Sequence, residues 1–290
     1  MLVQTQWLAG HLDDDDVVMV DMRWRGDGSG RSLYAQGHIP GAVYLDWSTH
    51  IVDPDGAVAF LLAPADRFAA AMEHRGIGDH TTVVAYADEM GSGPFRLWWA
   101  SLVYGHDNVH VLDGGFDKWT GERRPVSAEQ PAPRAATWTP RPTRRYVATA
   151  EDVEYADGRP DVVVLDSRPP DQYRGEAVWF ETGPVPAGPD GIARTSRGDL
   201  RSGRIPGAES LPAHDLYRQD MTLRSPDEIR AAAGAAGLTP GCSAIAYCGV
   251  GLSASALVFA LHLAGFEDTA LYDASWEEWG RDLERPVARG

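Results

Sequence analysis

The sequence predicts an α/β protein made of two similar halves, each a small parallel sheet flanked by helices. A chain of 290 residues, 43% of them hydrophobic, is long enough to bury two ordinary cores. Short β-rich runs alternate with amphipathic stretches such as 64–75 and 226–236, a pattern that is typical of parallel sheets with crossover helices. A repeat along the chain indicates that this plan occurs twice.

Four segments of the first half recur in the same order in the second half, which identifies an internal repeat. The matched segments are 18–23 with 163–168, 37–42 with 203–208, 83–87 with 244–248, and 111–119 with 270–279. The second half also carries an insertion, 173–201, that is rich in Gly, Pro and Arg and contains the apolar run 177–180. The sequence leaves the role of this insertion open.

Prolines mark a linker between the halves. Residues 126–142 include Pro131, Pro133, Pro140 and Pro142 and show little apolar periodicity, which is typical of an extended, semi-rigid connection. We therefore predict three segments: a first domain over 1–125, a linker over 126–146, and a second domain over 147–290.

Cys248 is the residue best placed for chemistry. It lies between a strand-like run, 244–247, and a helix-like stretch, 254–263. Unpaired backbone N–H groups at a helix N-terminus favour a thiolate, which is the nucleophilic form of cysteine. Two glycines allow a tight loop whose amides turn inward and hold the anion. The predicted loop consists of Cys248, Gly249, Val250, Gly251, Leu252 and Ser253.

The alternative for Cys248 is a small buried hydrophobe, which is what most free cysteines are. Its position at the carboxyl end of a strand in a parallel sheet favours a functional site. The first half has Ala87 at the matching position, so only the second half is expected to hold the nucleophile. Cys242 lies six residues upstream, about 20 Å away along an extended strand, too far for a disulfide, and is interpreted as structural.

Composition narrows the range of partners and compartments. The formal charge of −16 argues against a nucleic-acid partner, because phosphate binding needs a basic face. Two cysteines provide no disulfide framework, which favours a reducing compartment, the cytoplasm by default. No apolar run is long enough to cross a membrane and no export signal is visible at the start, so no membrane partner is expected.

The motifs resemble those of the tandem-domain rhodaneses, which comprise thiosulfate and 3-mercaptopyruvate sulfurtransferases. The likeness covers essentially the whole chain and includes the hallmark segments 38–42 and 113–115. It implies two rhodanese-like domains, an inactive first and a catalytic second, and a six-residue loop that opens with the catalytic cysteine, Cys248. The implied cycle forms a persulfide on Cys248 and passes its outer sulfur to cyanide or to a thiol, either a small thiol or a thioredoxin-like protein. No metal or organic cofactor is expected.

The loop also bears on the sulfur donor. Thiosulfate-type members tend to carry basic residues after the cysteine, whereas mercaptopyruvate-type members resemble Cys-Gly-Ser-Gly-Val-Thr, so Gly249 and Gly251 favour mercaptopyruvate. Val250 departs from that pattern, because the family has a hydroxyl residue there. The resemblance implies Asp46 as a catalytic aspartate, and His50 is the nearest candidate for a histidine that the family has further downstream.

The residues expected to bind the donor also depart from the family pattern. The family generally places an arginine just before an aromatic residue at the position that Gln172 occupies here, and glutamine supplies no charge. Another cation is then needed for an α-keto acid. Within and beside the insertion the candidates are Arg197, which matches the family's second arginine, its rival Arg194, and the nearby Arg168 and Arg174.

Two other functions compete with sulfur transfer by an enzyme. The first is a non-catalytic persulfide carrier, which the altered Asp46, Val250 and Gln172 neighbourhood supports. The second is a phosphatase, because the cell-cycle tyrosine phosphatases resemble the rhodaneses in fold. Those enzymes end a longer loop in an arginine six positions after the cysteine, where this chain has Ala254, so the phosphate would lack its guanidinium clamp.

Overall fold

The computed structural model describes residues 1–180 and 183–290, and these residues form two compact units. The main division of the chain falls between Thr143 and Arg144, within the segment that we predict as the linker. The first unit contains Met1–Pro54, Leu62–Thr143 and Tyr217–Leu223, and the second contains Asp55–Leu61, Arg144–Leu216 and Arg224–Gly290.

The first unit is built on a parallel sheet of five strands. The strands are β1 (Leu2–Val3), β2 (Val17–Asp21), β3 (Val43–Tyr44), β4 (Thr82–Tyr86) and β5 (Val109–Leu112), in the spatial order β1-β5-β4-β2-β3. The helices are α1 (Thr5–Ala9), α2 (Gly30–Gln36), α3 (Trp47–His50), α4 (Ala65–Glu73), α5 (Gly93–Val103) and α6 (Gly115–Gly121). Helix α5 is buried on nearly all sides, because it packs within the core rather than at the surface.

The second unit repeats this architecture with a second parallel sheet. Its strands are β6 (Val147–Ala148), β7 (Val162–Asp166), β12 (Glu209–Ser210), β13 (Ser243–Tyr247) and β14 (Thr269–Tyr272), in the order β12-β7-β13-β14-β6. Its helices are α7 (Ala150–Ala156), α8 (Pro170–Arg174), α9 (Pro226–Ala235), α10 (Leu252–Leu263) and α11 (Ser275–Trp279), with a 3₁₀ turn over Ala213–Leu216. The predicted α/β class, with two parallel sheets flanked by helices, is confirmed.

The described residues of the insertion form two antiparallel strand pairs. The pairs are β8 (Ala177–Phe180) with β9 (Gly183–Pro186), and β10 (Ile192–Thr195) with β11 (Gly198–Arg201). Val178, Ala193 and Leu200 from these strands are almost fully buried and join the core of the second unit. The apolar run at 177–180 is therefore core-forming, at least in part.

A buried aspartate at the end of the second strand anchors each sheet. In the first unit Asp21 accepts a hydrogen bond from the Tyr86 hydroxyl at 2.9 Å and pairs with Arg23 at 2.7 Å. The same contacts recur in the second unit, where Asp166 binds Tyr247 and Arg168, each at 2.6 Å. Burial, and next the charge of the aspartate, raise the pKa of both tyrosines well above its usual value, so both hydroxyls remain hydrogen-bond donors.

Candidate active site

Cys248 lies in a short loop between β13 and α10, as the sequence predicts. Strand β13 ends at Tyr247 and α10 begins at Leu252, two residues earlier than the apolar pattern alone indicates. Gly251 caps the helix with a left-handed φ of 74°, a conformation that is costly for a residue with a side chain. The glycine therefore lets the chain turn sharply from the strand into the helix.

The loop presents backbone amides that have no acceptor. Among the described residues, the N–H groups of Gly249, Val250, Leu252 and Ser253 donate to no protein atom. Gly249 and Val250 are buried and Leu252 and Ser253 half-buried, and a buried amide without a partner is uncommon because it is costly. Together with the N-terminus of α10 they form a set of donors that suits an anion next to Cys248.

Ser275 holds the start of the loop in place. Its hydroxyl accepts a hydrogen bond from the Cys248 amide at 3.1 Å and donates one to the Tyr272 carbonyl at 2.8 Å. Ser275 is buried and has a φ of 53°, the same value as Gly115 at the matching position of the first unit. A serine in a conformation that the other half gives to glycine carries backbone strain, and strain of this kind collects at functional sites.

Ser167 supports the loop from β7. Its hydroxyl donates to the Tyr247 carbonyl at 3.1 Å and lies 3.1 Å from the hydroxyl of Ser253. The residue is 2% exposed, so these contacts connect the two strand ends below the loop.

Helix α11 fixes the carbonyl side of the loop. The Trp276 amide donates to Cys248 O at 3.0 Å, and the Glu277 amide donates to Gly249 O at 3.0 Å. The Glu277 carboxylate in turn pairs with Arg281 at 2.8 Å. With its carbonyls bound from α11, the loop keeps its amides free to face another group.

Trp179, from the insertion, lies against the loop. A methyl group added at Gly249 would lie 3.0 Å from the Trp179 Cβ atom, which is close enough to push against that side chain. Cys248 is only 2% exposed. A reagent therefore needs a local opening to reach the thiol, and the Trp179 side chain is one of the groups that lie against the loop.

Arg168 belongs to the scaffold, although the sequence proposed it for donor binding. It is 1% exposed, binds Asp166 through two nitrogens and donates to the Gly203 carbonyl at 2.7 Å. The equivalent Arg23 makes the same contact with Gly37, at 2.6 Å. A contact present in both halves supports the shared fold and does not distinguish the half that contains Cys248.

The other proposed donor-binding residues differ in how available they are. Arg174 pairs with Glu176 at 2.7 Å and Arg194 with Asp190 at 2.6 Å, both at the surface. Gln172 is 4% exposed, and its Oε1 has no donor among the described residues. Arg197 is exposed in the turn between β10 and β11, and its backbone carbonyl accepts a hydrogen bond from Arg281 at 3.2 Å.

The remaining predicted residues lie elsewhere. Asp46 belongs to the first unit, where it caps α3 by accepting hydrogen bonds from the Ser48 amide at 2.9 Å and hydroxyl at 2.6 Å. Its own amide donates to His50 Nδ1 at 2.9 Å. Cys242 is a free thiol, half-buried at the start of β13, and lies 3.4 Å from the Thr239 hydroxyl.

Neither a membrane span nor a metal cluster occurs in the part of the chain that the structure describes. No helix in 1–180 or 183–290 combines the length and apolar character needed to span a bilayer. The same residues contain no group of three His, Cys, Asp or Glu side chains arranged to hold a metal ion.

Comparison with known proteins explains the repeated architecture. The model of the Rhodanese-like domain matches residues 4–122 and 149–282, one match in each half. This chain belongs to the rhodanese family. Its two matched segments contain the two buried Asp–Arg pairs, and the second contains the Cys248 loop.

Named relatives of this rhodanese connect it with sulfur transfer. The Sulfur carrier protein TtuD of Thermus thermophilus is 31% identical, over the whole of this chain and 97% of that protein. Two further relatives, from Haloferax volcanii and Mycobacterium tuberculosis, are also 31% identical over the whole of this chain. The matches cover 96% and 97% of those two proteins, and both are named in the thiosulfate sulfurtransferase class.

Solved structures agree with this placement. SseA from Escherichia coli, described as a 3-mercaptopyruvate sulfotransferase, has a TM-score of 0.80 and 26% identity, covering 95% of this chain and 98% of SseA. The anaerobic ergothioneine biosynthesis enzyme from Chlorobium limicola has a TM-score of 0.83 and 25% identity, covering all of this chain and 70% of that enzyme. This rhodanese thus shares its fold with proteins that are named as sulfurtransferases.

Proposed function

We propose that this rhodanese moves sulfane sulfur from a small anionic donor, through a persulfide on Cys248, to a thiol or to cyanide. The observation that carries this proposal is the set of unpartnered amides in the loop that begins at Cys248. Such donors stabilise a thiolate before the reaction and a persulfide anion after it, without any change in the loop. The chemistry needs no metal or organic cofactor.

The reaction has two steps that balance. The Cys248 thiolate attacks the outer sulfur of the donor, so that an S–S bond forms while the bond to the rest of the donor breaks. With 3-mercaptopyruvate the broken bond is C–S, and the enolate of pyruvate leaves and takes up a proton; with thiosulfate, sulfite leaves. An acceptor thiolate then attacks the outer sulfur, becomes a persulfide, and returns Cys248 to its thiolate.

The loop composition favours 3-mercaptopyruvate over thiosulfate. The residues from Gly249 to Ser253 include no cation, so the loop has no side-chain charge with which to hold a dianion beside the cysteine. A monoanionic α-keto acid with one carboxylate needs only one cation, placed further from the sulfur.

Arg197 is the arginine that we propose for that carboxylate. Its turn is tied to the loop through Arg281, which binds the Arg197 carbonyl and the Glu277 carboxylate, while the Glu277 amide binds Gly249. Arg174 and Arg194 are already paired with carboxylates, whereas the Arg197 guanidinium contacts no carboxylate among the described residues. Replacing Arg197 with Ala should raise the Michaelis constant for an anionic donor and leave kcat nearly unchanged.

The acceptor and the catalytic aspartate extend the proposal. Because Cys248 is nearly covered, a small thiol or the extended thiol loop of a thioredoxin-like protein suits it better than a broad protein surface.

Asp46 is proposed as a catalytic partner on the family resemblance, with its carboxylate already oriented by Ser48. Two free thiols fit a reducing compartment, for which we propose the cytoplasm.

A persulfide carrier without turnover of its own is the second candidate. The name of the Thermus relative, a sulfur carrier protein, favours it. A carrier would accept sulfur from a partner enzyme, and its Cys248 would react with free donors no faster than an ordinary thiol.

A donor screen separates these two functions. The protein is incubated with 3-mercaptopyruvate or thiosulfate plus a thiol acceptor, and pyruvate, sulfite and sulfide are measured, with Cys248→Ser as the control. Turnover well above the control, faster with 3-mercaptopyruvate, is expected. Rates equal to the control with both donors would refute the enzyme and leave the carrier.

A further inference from the structure

A cationic pocket lies in the first unit, apart from the residues of the Cys248 loop. It is bordered by α2, α3, α4 and the segment from Gln130 to Pro133, and its lining includes no Asp or Glu side chain among the described residues. This composition stands out in a chain with 42 acidic and 26 Lys or Arg residues. The polar residues that define the cationic pocket are Arg31, Tyr44, His50, Arg67, His74 and Arg75.

Arg75 places a buried positive charge in this pocket. The residue is 6% exposed, and its guanidinium donates to three neutral acceptors: the Tyr44 carbonyl at 2.8 Å, the Ala71 carbonyl at 2.6 Å and His50 Nδ1 at 2.6 Å. Burial, and next the charge of Arg31, lower the pKa of Arg75 to about 10. Two guanidinium N–H groups remain beyond those three bonds. A buried charge without a carboxylate beside it is costly until an anion compensates it.

His50 adds a neutral donor. Its Nδ1 accepts from both Arg75 Nη2 and the Asp46 amide, and because neither of those groups can accept, Nδ1 carries no proton. The proton of the neutral ring therefore lies on Nε2, which has no acceptor among the described residues. Burial, and next the charge of Arg75, lower the pKa of His50 to about 4, so the ring keeps this form at neutral pH.

The nearby charges leave the pocket positive. Arg67 donates only to carbonyls, those of Val52 and Thr49. Arg31 pairs with no carboxylate among the described residues and lies 5.7 Å from the Tyr44 ring centre. Asp46 is the carboxylate that attracts Arg75, but it accepts hydrogen bonds from Ser48 and does not line the pocket.

The fold itself does not require these cations. Helices α4 and α9 end alike, with the Ile77 amide donating to Met72 and the Leu238 amide donating to Ala233. Counted from those bonds, the positions of Arg67, His74 and Arg75 are occupied in the second unit by Glu228, Ala235 and Ala236. The cations of the first unit therefore serve a purpose that the shared scaffold does not explain.

We propose that the cationic pocket binds a divalent tetrahedral oxyanion of the sulfate or phosphate class. Three guanidinium groups without a carboxylate suit two negative charges better than one, and the remaining N–H groups of Arg75 and His50 Nε2 supply fixed donors. The ligand is either a free inorganic dianion or the same group on a larger molecule. The proposal rests on contacts within the first unit and does not require the transfer proposed for Cys248.

Calorimetric titration of the full chain with sodium sulfate tests this site. The variants are Arg75→Gln, Arg31→Gln at the exposed rim, and as a matched control Arg159→Gln, which removes an equal charge from an exposed pair with Asp161 in the second unit. Inorganic phosphate and glycerol 3-phosphate probe the free and the esterified dianion, and sodium acetate at equal ionic strength probes a monoanion. The same titration on Arg197→Ala separates this pocket from the proposed donor site.

We expect saturable binding of one dianion by the wild-type protein. The affinity should fall at least about tenfold in Arg31→Gln and Arg75→Gln and stay unchanged in Arg159→Gln and Arg197→Ala. The tighter of phosphate and its ester identifies the source of the ligand. Arg31→Gln keeps the test decisive if Arg75→Gln fails to fold. Absence of saturable binding, equal binding by Arg31→Gln, or acetate bound as tightly as sulfate would overturn the proposal.

Discussion

The two halves share a scaffold and differ in the loop that follows the central strand. After β13 three residues separate Cys248 from the first residue of α10, whereas after β4 five residues, 88–92, separate Ala87 from α5. In both units the amide of the second residue of the last helix, α6 or α11, donates to the carbonyl of this first loop residue: Phe116 to Ala87 at 2.8 Å, and Trp276 to Cys248 at 3.0 Å. Around this strand end the difference between the halves therefore lies in the loop itself.

The loop after β4 contains acidic residues that are already bound within the first unit. Asp88 is held by Arg25 through two hydrogen bonds, at 2.9 and 2.8 Å, and the Glu89 amide donates to the Asp117 carboxylate at 2.8 Å. In the Cys248 loop no carboxylate takes this place, and four amides stay unpartnered among the described residues. If the proposed mechanism holds, a rhodanese sheet is not sufficient for sulfur chemistry, because the amides must also be free to face an anion.

Moving the cysteine to the first loop tests this comparison most severely. The double variant Ala87→Cys, Cys248→Ser keeps one thiol at a strand end but places it beside Asp88, Glu89 and an amide already bound by Asp117. We expect no persulfide by mass spectrometry after incubation with either donor, because the local field is negative. A persulfide formed at position 87 at the wild-type rate would show that the strand end is sufficient and the free amides are not needed.

The buried aspartates should matter equally in both halves. Asp166→Asn and Asp21→Asn each leave a buried guanidinium facing an uncharged amide, so each should lower the free energy of unfolding of its unit by about 3–5 kcal/mol in urea titrations. Asp161→Asn, at an exposed pair with Arg159, should leave the midpoint of urea unfolding nearly unchanged. A large loss in only one half would mean that the shared Asp–Arg pair is not a common structural element.

Trp179 belongs to the insertion that we identify in the second half, and it lies against Gly249 of the Cys248 loop. Trp179→Ala should speed alkylation of Cys248 by iodoacetamide by about tenfold, which corresponds to an opening free energy lower by about 1.4 kcal/mol. Cys242 in the same protein is the internal reference, and Trp7→Ala, at an exposed tryptophan of the first unit, is the matched control. An unchanged rate would assign the low exposure of Cys248 to other groups.

The smallest effect on stability is expected three residues after Cys248 and three residues after Ala87. Gly251 has a φ of 74°, whereas its counterpart Met90 reaches 59° with a side chain. Gly251→Ala should cost about 1 kcal/mol of stability, while Met90→Gly should change stability by less than about 0.5 kcal/mol, because relief of strain offsets the added flexibility of the unfolded chain. Thermal unfolding of both variants measures the difference.

Residues repeated in both halves were predictable, and residues placed by distant contacts were not. The Cys248 loop followed from local signals, an apolar run, two glycines and a second apolar run, and the structure confirms its place between strand and helix. The scaffold role of Arg168 could also have been inferred, because the Asp-x-Arg pattern of Asp21 and Arg23 occurs in the half without a cysteine.

The support of the loop could not be predicted from local pattern. Ser275 binds the Cys248 amide across 27 residues of sequence, and the one available signal was a serine aligned with the glycine at position 115. The antiparallel strands of the insertion depend on pairing and on burial of Val178 and Leu200 in the core, which short segments do not reveal. The cationic pocket joins side chains from α2, α3 and α4 that are far apart in the sequence.

The central claim is that the sulfur cargo is carried by Cys248. The most direct measurement is peptide mass spectrometry of the wild-type protein after brief exposure to 3-mercaptopyruvate, followed by addition of a thiol acceptor. We expect the peptide that contains Cys248 to gain the mass of one sulfur atom and to lose it again with the acceptor, while the Cys242 peptide stays unchanged; this should persist in Cys242→Ser. A sulfur gain on Cys242 alone, or on neither cysteine with any donor, would contradict the account.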